Sequence, residues 1–94
     1  MNGIIMVLNA GSSSLKFATY EAAGAALAQL HAGQVEGIGA TPHFVARDSH
    51  GLKIADELWP DGGAPADHAA ALNVIITWLE IRLPAPVVAI GHRV

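Results

Sequence analysis

Apolar and polar positions follow two periods along this chain. Ile4-Ile5-Met6-Val7-Leu8 is an unbroken apolar run, and Leu15, Phe17 and Thr19 alternate with Lys16, Ala18 and Tyr20. Short apolar runs bounded by Gly and Ser read as buried strands, and alternation reads as a strand with one covered face. Met1 to Leu8 is therefore expected as a first strand and Leu15 to Tyr20 as a second. The Ala-rich stretch from Glu21 to Ala26 is expected as a turn, being too short for an independent helix. Leu27 to Val35 and Thr41 to Arg47 read as third and fourth strands, with Pro42 confined to an edge or a first position. Leu52 to Leu58 alternates well and pairs with the fourth as a hairpin across Asp48-Ser49-His50-Gly51.

From Trp59 to Pro65 the chain is rich in Gly and Pro, and the period then changes. Leu72, Ile75, Ile76, Leu79 and Leu83 recur every three or four residues, the spacing of one helix face. Asp67 is a good N-cap whose carboxylate also suits the helix dipole. The helix is expected over His68 to Arg82, stopped by Pro84 and Pro86. Val87 to Ile90 is a last apolar strand leading to His92 and Arg93. A strand reached through a helix implies a parallel crossover. The expected class is α/β with an α+β-like start: a mixed sheet of strands and hairpins, followed by a helix crossover on one face.

Composition sharpens this picture. At 94 residues the chain makes one small domain at most, and a chain of this size buries roughly 60–65% of its unfolded surface. It is 52% hydrophobic and only 14% charged, which implies apolar surface meant to be covered by something else. The net charge of −3 argues against nucleic acid or an acidic membrane as the main partner. Without cysteine, disulfides, thiolate catalysis and Cys-based zinc sites are excluded. The first apolar run is five residues long with no basic leader, so it reads as neither a signal peptide nor a membrane span, and a cytoplasmic location is the default expectation.

The chemistry is crowded into Asn9-Ala10-Gly11-Ser12-Ser13-Ser14-Leu15-Lys16-Phe17. Gly11 allows close approach of the backbone to a ligand. The serines bring hydroxyls and exposed N–H groups, and Lys16 brings a mobile point charge suited to phosphate. Singly, each has an ordinary reading as turn, loop filler or solvated charge. Together, directly after an apolar strand, they favour a phosphate site. The turn matches neither GxxxxGK[ST] nor GxGxxG. Elsewhere the inventory is thin. The five histidines show no HxH or HxxxH pairing, Asp56 and Glu57 face opposite sides of a strand, and there is no GxSxG elbow.

The run Asn9 to Lys16 resembles the N-terminal phosphate hairpin of the acetate and propionate kinase family, within the superfamily of sugar kinases, actin-like ATPases and heat-shock ATPases. Ala10 and Ser12-Ser13-Ser14 resemble the acetate and propionate members more than the butyrate kinases. Ile90-Gly91-His92-Arg93-Val94 is similar to the family segment that presents a substrate-binding arginine. Gly33 to Gly39 resembles its Gly-x-x-Glu-Arg-Ile-Gly stretch, with Gly37 where Arg is usual. Asp67-His68 followed by Ala70-Ala71-Leu72 resembles the opening of the equivalent helix. Here His68 reads as a first-turn surface histidine rather than a ligand.

The resemblance implies a ribonuclease-H-like, actin-like ATPase domain of which residues 1–94 are the incomplete first part. It implies the reaction ATP + acetate = ADP + acetyl phosphate, with Mg2+. Lys16, Ser12 and Ser14 would bind ATP phosphates, Asn9 would stand on the Mg2+ side, and Arg93 would bind the carboxylate. On sequence alone Arg93 reads equally as a solvated charge, and His92 as structural. No catalytic residue is expected within these residues, so the 94-residue chain alone is expected to be inactive. The full enzyme would be a cytoplasmic homodimer. Propionate kinase is the nearest competing activity. A stand-alone binding or assembly module that kept the fold without the chemistry is the competing class.

Overall fold

A computed structural model describes residues 3–23, 26–60 and 62–93. Among these residues, six strands and one helix follow in the order β1 (Ile4–Ala10), β2 (Ser14–Ala23), β3 (Ala26–Glu36), β4 (His43–Asp48), β5 (Lys53–Leu58), α1 (His68–Arg82) and β6 (Val87–Arg93). They form one mixed sheet in the order β5-β4-β3-β2-β1-β6. Only the β1–β6 pair is parallel, and the other four are antiparallel neighbours. The helix therefore carries the chain from one edge of the sheet to the other, where β6 lies beside the first strand.

Side-chain alternation divides the sheet into two faces. Ile4, Met6 and Leu8 of β1, Leu15, Phe17 and Thr19 of β2, Val35 of β3, and Phe44 and Ala46 of β4 are all buried on one face. Against them pack Ala71, Ile75 and Leu79 of α1, with Leu72, Val74, Ile76 and Trp78 partly buried on the flanks. The expected stripe through Leu72 and Ile76 is thus centred one position earlier, on Ala71. The small methyl group there lets the helix approach the strands closely. Asp67 caps α1 as its sequence predicts, its carboxylate accepting from Ala70 N at 2.8 Å. Leu83 ends it in an extended conformation, its N–H still bonded to Leu79 O at 2.9 Å.

The ring of Phe17 lies 6.4 Å from both Phe44 and Trp78, and Trp78 also receives His31 edge-on at 5.4 Å. This cluster forms because β3 has no side chain at Gly33. A Cβ there would lie 2.3 Å from Val45 O, 2.8 Å from the Phe17 ring and 2.9 Å from Ala46 Cα. The β2–β3 ladder slips after Thr19, leaving an irregularity that displaces a backbone donor. The buried Thr19 hydroxyl takes that donor, accepting from His31 N at 3.1 Å.

Several boundaries differ from the sequence-based expectation. β1 continues two residues past Leu8, so Asn9 is a strand residue; Met1 and Asn2 lie outside the described residues. The expected turn from Glu21 to Ala26 is much shorter. β2 runs to Ala23 and β3 resumes at Ala26, while Gly24 and Ala25 lie outside the described residues. Alanine has weak preferences either way, and the ladder decides. β4 starts only at His43, because Pro42 has no N–H to donate. β6 does not stop at Ile90: parallel pairing with β1 carries it through His92 to Arg93. Part of the apolar surplus is at the surface, with Leu27, Leu52, Leu58, Ile81, Val88 and Ile90 exposed. Among the described residues no helix is long and apolar enough to cross a membrane.

Candidate phosphate-binding turn

The β1–β2 hairpin closes through Gly11-Ser12-Ser13-Ser14, between the last paired residues Ala10 and Leu15. Gly11 N donates to Ser14 O at 2.9 Å and closes the turn. The carbonyls of the turn also bond to residues outside it. Ser13 O accepts from Ile38 N at 2.9 Å, and Gly11 O and Ser14 O lie 2.6 Å and 3.1 Å from His68 Nε2. By contrast, the backbone N–H groups of Ser12 and Ser13 have no acceptor among the described residues. The turn therefore keeps three of its carbonyl oxygens on the protein side while two donors and the serine hydroxyls remain uncommitted. Successive free N–H groups in a tight turn make a concave anion-binding surface.

Gly11 is not in the left-handed region; what it provides is room. A Cβ on it would lie 2.6 Å from Ser14 Oγ, so its absence lets that hydroxyl fold back over the turn. The buttress from Ile38 depends on a different glycine. Gly37 has φ 70°, and a Cβ there would lie 2.4 Å from Thr41 O. Glycine is thus the residue this local backbone favours, and beside it Ile38 N holds Ser13 O.

The strand residues beside the turn fall in one register. Asn9 of β1 pairs with Lys16 of β2 on one side and with Arg93 of β6 on the other. Asn9 and Lys16 are exposed and lie on the face away from α1. Ser14 precedes Lys16 by two and so shares its face. Neighbouring strands are about 4.8 Å apart, which places the backbones of Lys16 and Arg93 about 10 Å apart across Asn9. The sequence-named residues Asn9, Ser12, Ser14, Lys16 and Arg93 are thus gathered at one end of three adjacent strands. Among the described residues Lys16 pairs with no carboxylate. It also walls an open depression of about 580 Å³ shared with Glu36, Arg47 and Lys53, of which Lys53 is paired with Asp56.

Perturbed ionisations lie away from the turn. Hydrogen bonds from Lys53 and then His43 hold the Asp56 carboxyl below its usual range, at the far β4–β5 edge. Burial, reinforced by Arg82, pushes the His31 imidazole down, with Asp48 opposing. Among the described residues no three His, Cys, Asp or Glu groups converge on a metal position.

His68 is the residue that the sequence reading misplaced. It is half-buried and bridges the first turn of α1 to the hairpin, rather than sitting free on the surface. Its partners are 57 and 54 residues away, so no periodicity reveals them.

A family model described as the acetokinase family matches residues 4–94. Among curated proteins, the chain is 39% identical to an acetate kinase of Rhodopseudomonas palustris, a match covering all of this chain and 24% of the relative. It is 40% identical to an acetate kinase of Nitrobacter hamburgensis, over 96% of this chain and 22% of that protein. A propionate kinase of Citrobacter rodentium is 35% identical over the whole chain and 23% of its own length. The chain spans about a quarter of the length of the curated relatives it matches.

Proposed function

Because this chain belongs to the acetokinase family, we propose that it supplies the nucleotide-phosphate side of a carboxylate phosphotransferase: ATP + acetate = ADP + acetyl phosphate. The observation that carries the proposal is the single register row Arg93–Asn9–Lys16 beside a turn with free N–H groups. Phosphoryl transfer asks a protein mainly to position the reactants and to balance charge spread over the phosphoryl oxygens. The Ser12 and Ser13 N–H groups and the Ser12 and Ser14 hydroxyls donate to phosphate oxygens. The Lys16 ammonium neutralises them as a point charge. Arg93, two strands away, holds the carboxylate of the acceptor, since a guanidinium fork matches a carboxylate.

Magnesium fits this arrangement in part. The Asn9 amide carbonyl is a hard oxygen donor able to hold one position, or one water, of an octahedral shell. With Lys16 opposite and no acidic cluster among the described residues, the remaining ligands would come from phosphate, water and other residues of the enzyme. Magnesium, when bound beside Asn9, would neutralise charge on the phosphate. We assign residues 1–94 to the first part of an actin-like ATPase domain. The groups that stabilise the transition state are assigned to the rest of such an enzyme, so this chain alone forms no acetyl phosphate. Similarity to a propionate kinase keeps the three-carbon acid as a second acceptor.

The test is titration of the 15N-labelled chain with Mg·ATP. Saturable shifts of the Ser12, Ser13 and Lys16 amides are expected. Lys16→Ala should weaken binding about tenfold, the equivalent of about 1.4 kcal/mol of a charge-assisted contact. Amides of the turn that stay put at millimolar Mg·ATP would refute the proposal.

A further inference from the structure

We propose that His68 is a positioning residue for the phosphate turn, holding its carbonyls down so that its donors face a bound phosphate. The inference rests on the phosphate reading of that turn. His68 Nε2 lies 2.6 Å from Gly11 O and 3.1 Å from Ser14 O. Both partners are carbonyl oxygens and only accept, so Nε2 carries the hydrogen and donates to both.

The consequence follows from peptide geometry. A trans peptide points its C=O and its N–H in opposite directions. Fixing the Gly11 carbonyl toward the helix therefore fixes the Ser12 N–H away from it. Drawing both carbonyls to one side also removes two partial negative charges from the path of an incoming anion. The third carbonyl, on Ser13, is held by the Ile38 N–H, so His68 and Ile38 together close the underside of the turn.

The anchor itself is rigid. His68 opens α1 directly after the Asp67 cap, and one turn later Ala71 is fully buried against the sheet, followed by Ile75 and Leu79. An exposed turn is thereby tied to a helix that is itself fixed by buried contacts with the sheet. Sites held by such elements keep their geometry better than sites left to loops.

Three forms of the chain test this: wild type, His68→Phe, which keeps a ring without the donor, and His68→Gln, whose side-chain amide again offers a donor. Each is titrated with Mg·ATP, and amide exchange is followed at Gly11, in the turn, at Ile38, whose N–H bonds to it, and at Ile75, in the helix. His68→Phe should bind about tenfold more weakly and speed exchange at Gly11 while Ile75 is unchanged, and His68→Gln should recover most of the affinity. If wild type and His68→Phe bind equally well, the inference is overturned and the phosphate reading stands. If wild type itself does not bind Mg·ATP, the phosphate reading falls and takes this inference with it. If His68→Phe exchanges faster at Ile75 as well, and His68→Gln fails to rescue binding, His68 serves the helix alone and the inference is overturned.

Discussion

Two glycine-to-alanine changes in this sheet should have opposite consequences. At Gly11 an added Cβ meets only Ser14 Oγ, at 2.6 Å, and the backbone is not left-handed. Ordinary contact begins near 3.4 Å, so the hydroxyl must retreat by nearly 1 Å, which a serine does by rotating to another staggered well at small cost. Stability should barely change. What is lost is one hydroxyl aimed over the turn, and a hydrogen bond to a charged group is worth about 1.5–3 kcal/mol, or about 10- to 100-fold in affinity for Mg·ATP.

At Gly33 the backbone is also ordinary, but the Cβ meets Val45 O at 2.3 Å and Ala46 Cα at 2.9 Å. Backbone cannot rotate away, and the Phe17 ring at 2.8 Å is locked between Phe44 and Trp78. Overpacking of this kind costs about 3 kcal/mol. At about 2.1 cal/mol/K per residue, 94 residues unfold with about 0.2 kcal/mol/K, so Gly33→Ala should lower Tm by about 15 °C. Thermal melts by circular dichroism and calorimetric titration with Mg·ATP read both quantities. The reasoning is refuted if Gly11→Ala binds like wild type, or if Gly33→Ala melts within about 3 °C of it.

Thr19→Val keeps the shape of a fully buried side chain but leaves the His31 N–H without its acceptor, and should cost about 1–3 kcal/mol in urea unfolding; no measurable loss would mean the donor finds another partner. His31 should make stability depend on pH. Its folded pKa lies below the unfolded value of 6.5, so its contribution is complete above about pH 6.5 and is lost as pH falls toward the folded pKa. The drop in unfolding midpoint between pH 7 and pH 5 should therefore shrink in His31→Gln, and an unchanged drop would show that burial and Arg82 do not depress this imidazole.

Local chemistry made much of this molecule legible. The alternation of Leu15, Phe17 and Thr19 names the buried face of β2, and the Asp67 cap and the paired prolines bound α1 to the residue. The crowding of Asn9, the serines and Lys16 marks the hairpin turn. Contacts between distant residues were not legible. Nothing in the composition of Val87 to Arg93 says that it pairs with β1 in register, because periodicity reports which face a residue takes and not which strand lies beside it. The same limit hid His68, whose value depends on two carbonyls more than fifty residues away. The alanines from Glu21 to Ala26 misled for another reason: their propensity is nearly neutral, and ladder hydrogen bonds carried the strands on to Ala23.

The β1–β6 pairing also sets an order of events during synthesis. Asn9 meets Lys16 across roughly 7 positions of chain but meets Arg93 across roughly 84, and closing the longer loop costs about 2 kcal/mol more in chain entropy. The hairpin can form as soon as it leaves the ribosome, while Arg93 reaches Asn9 only after β2 to β5 and α1 have been made. On the roles proposed above, the nucleotide side of this row is assembled before the acceptor side.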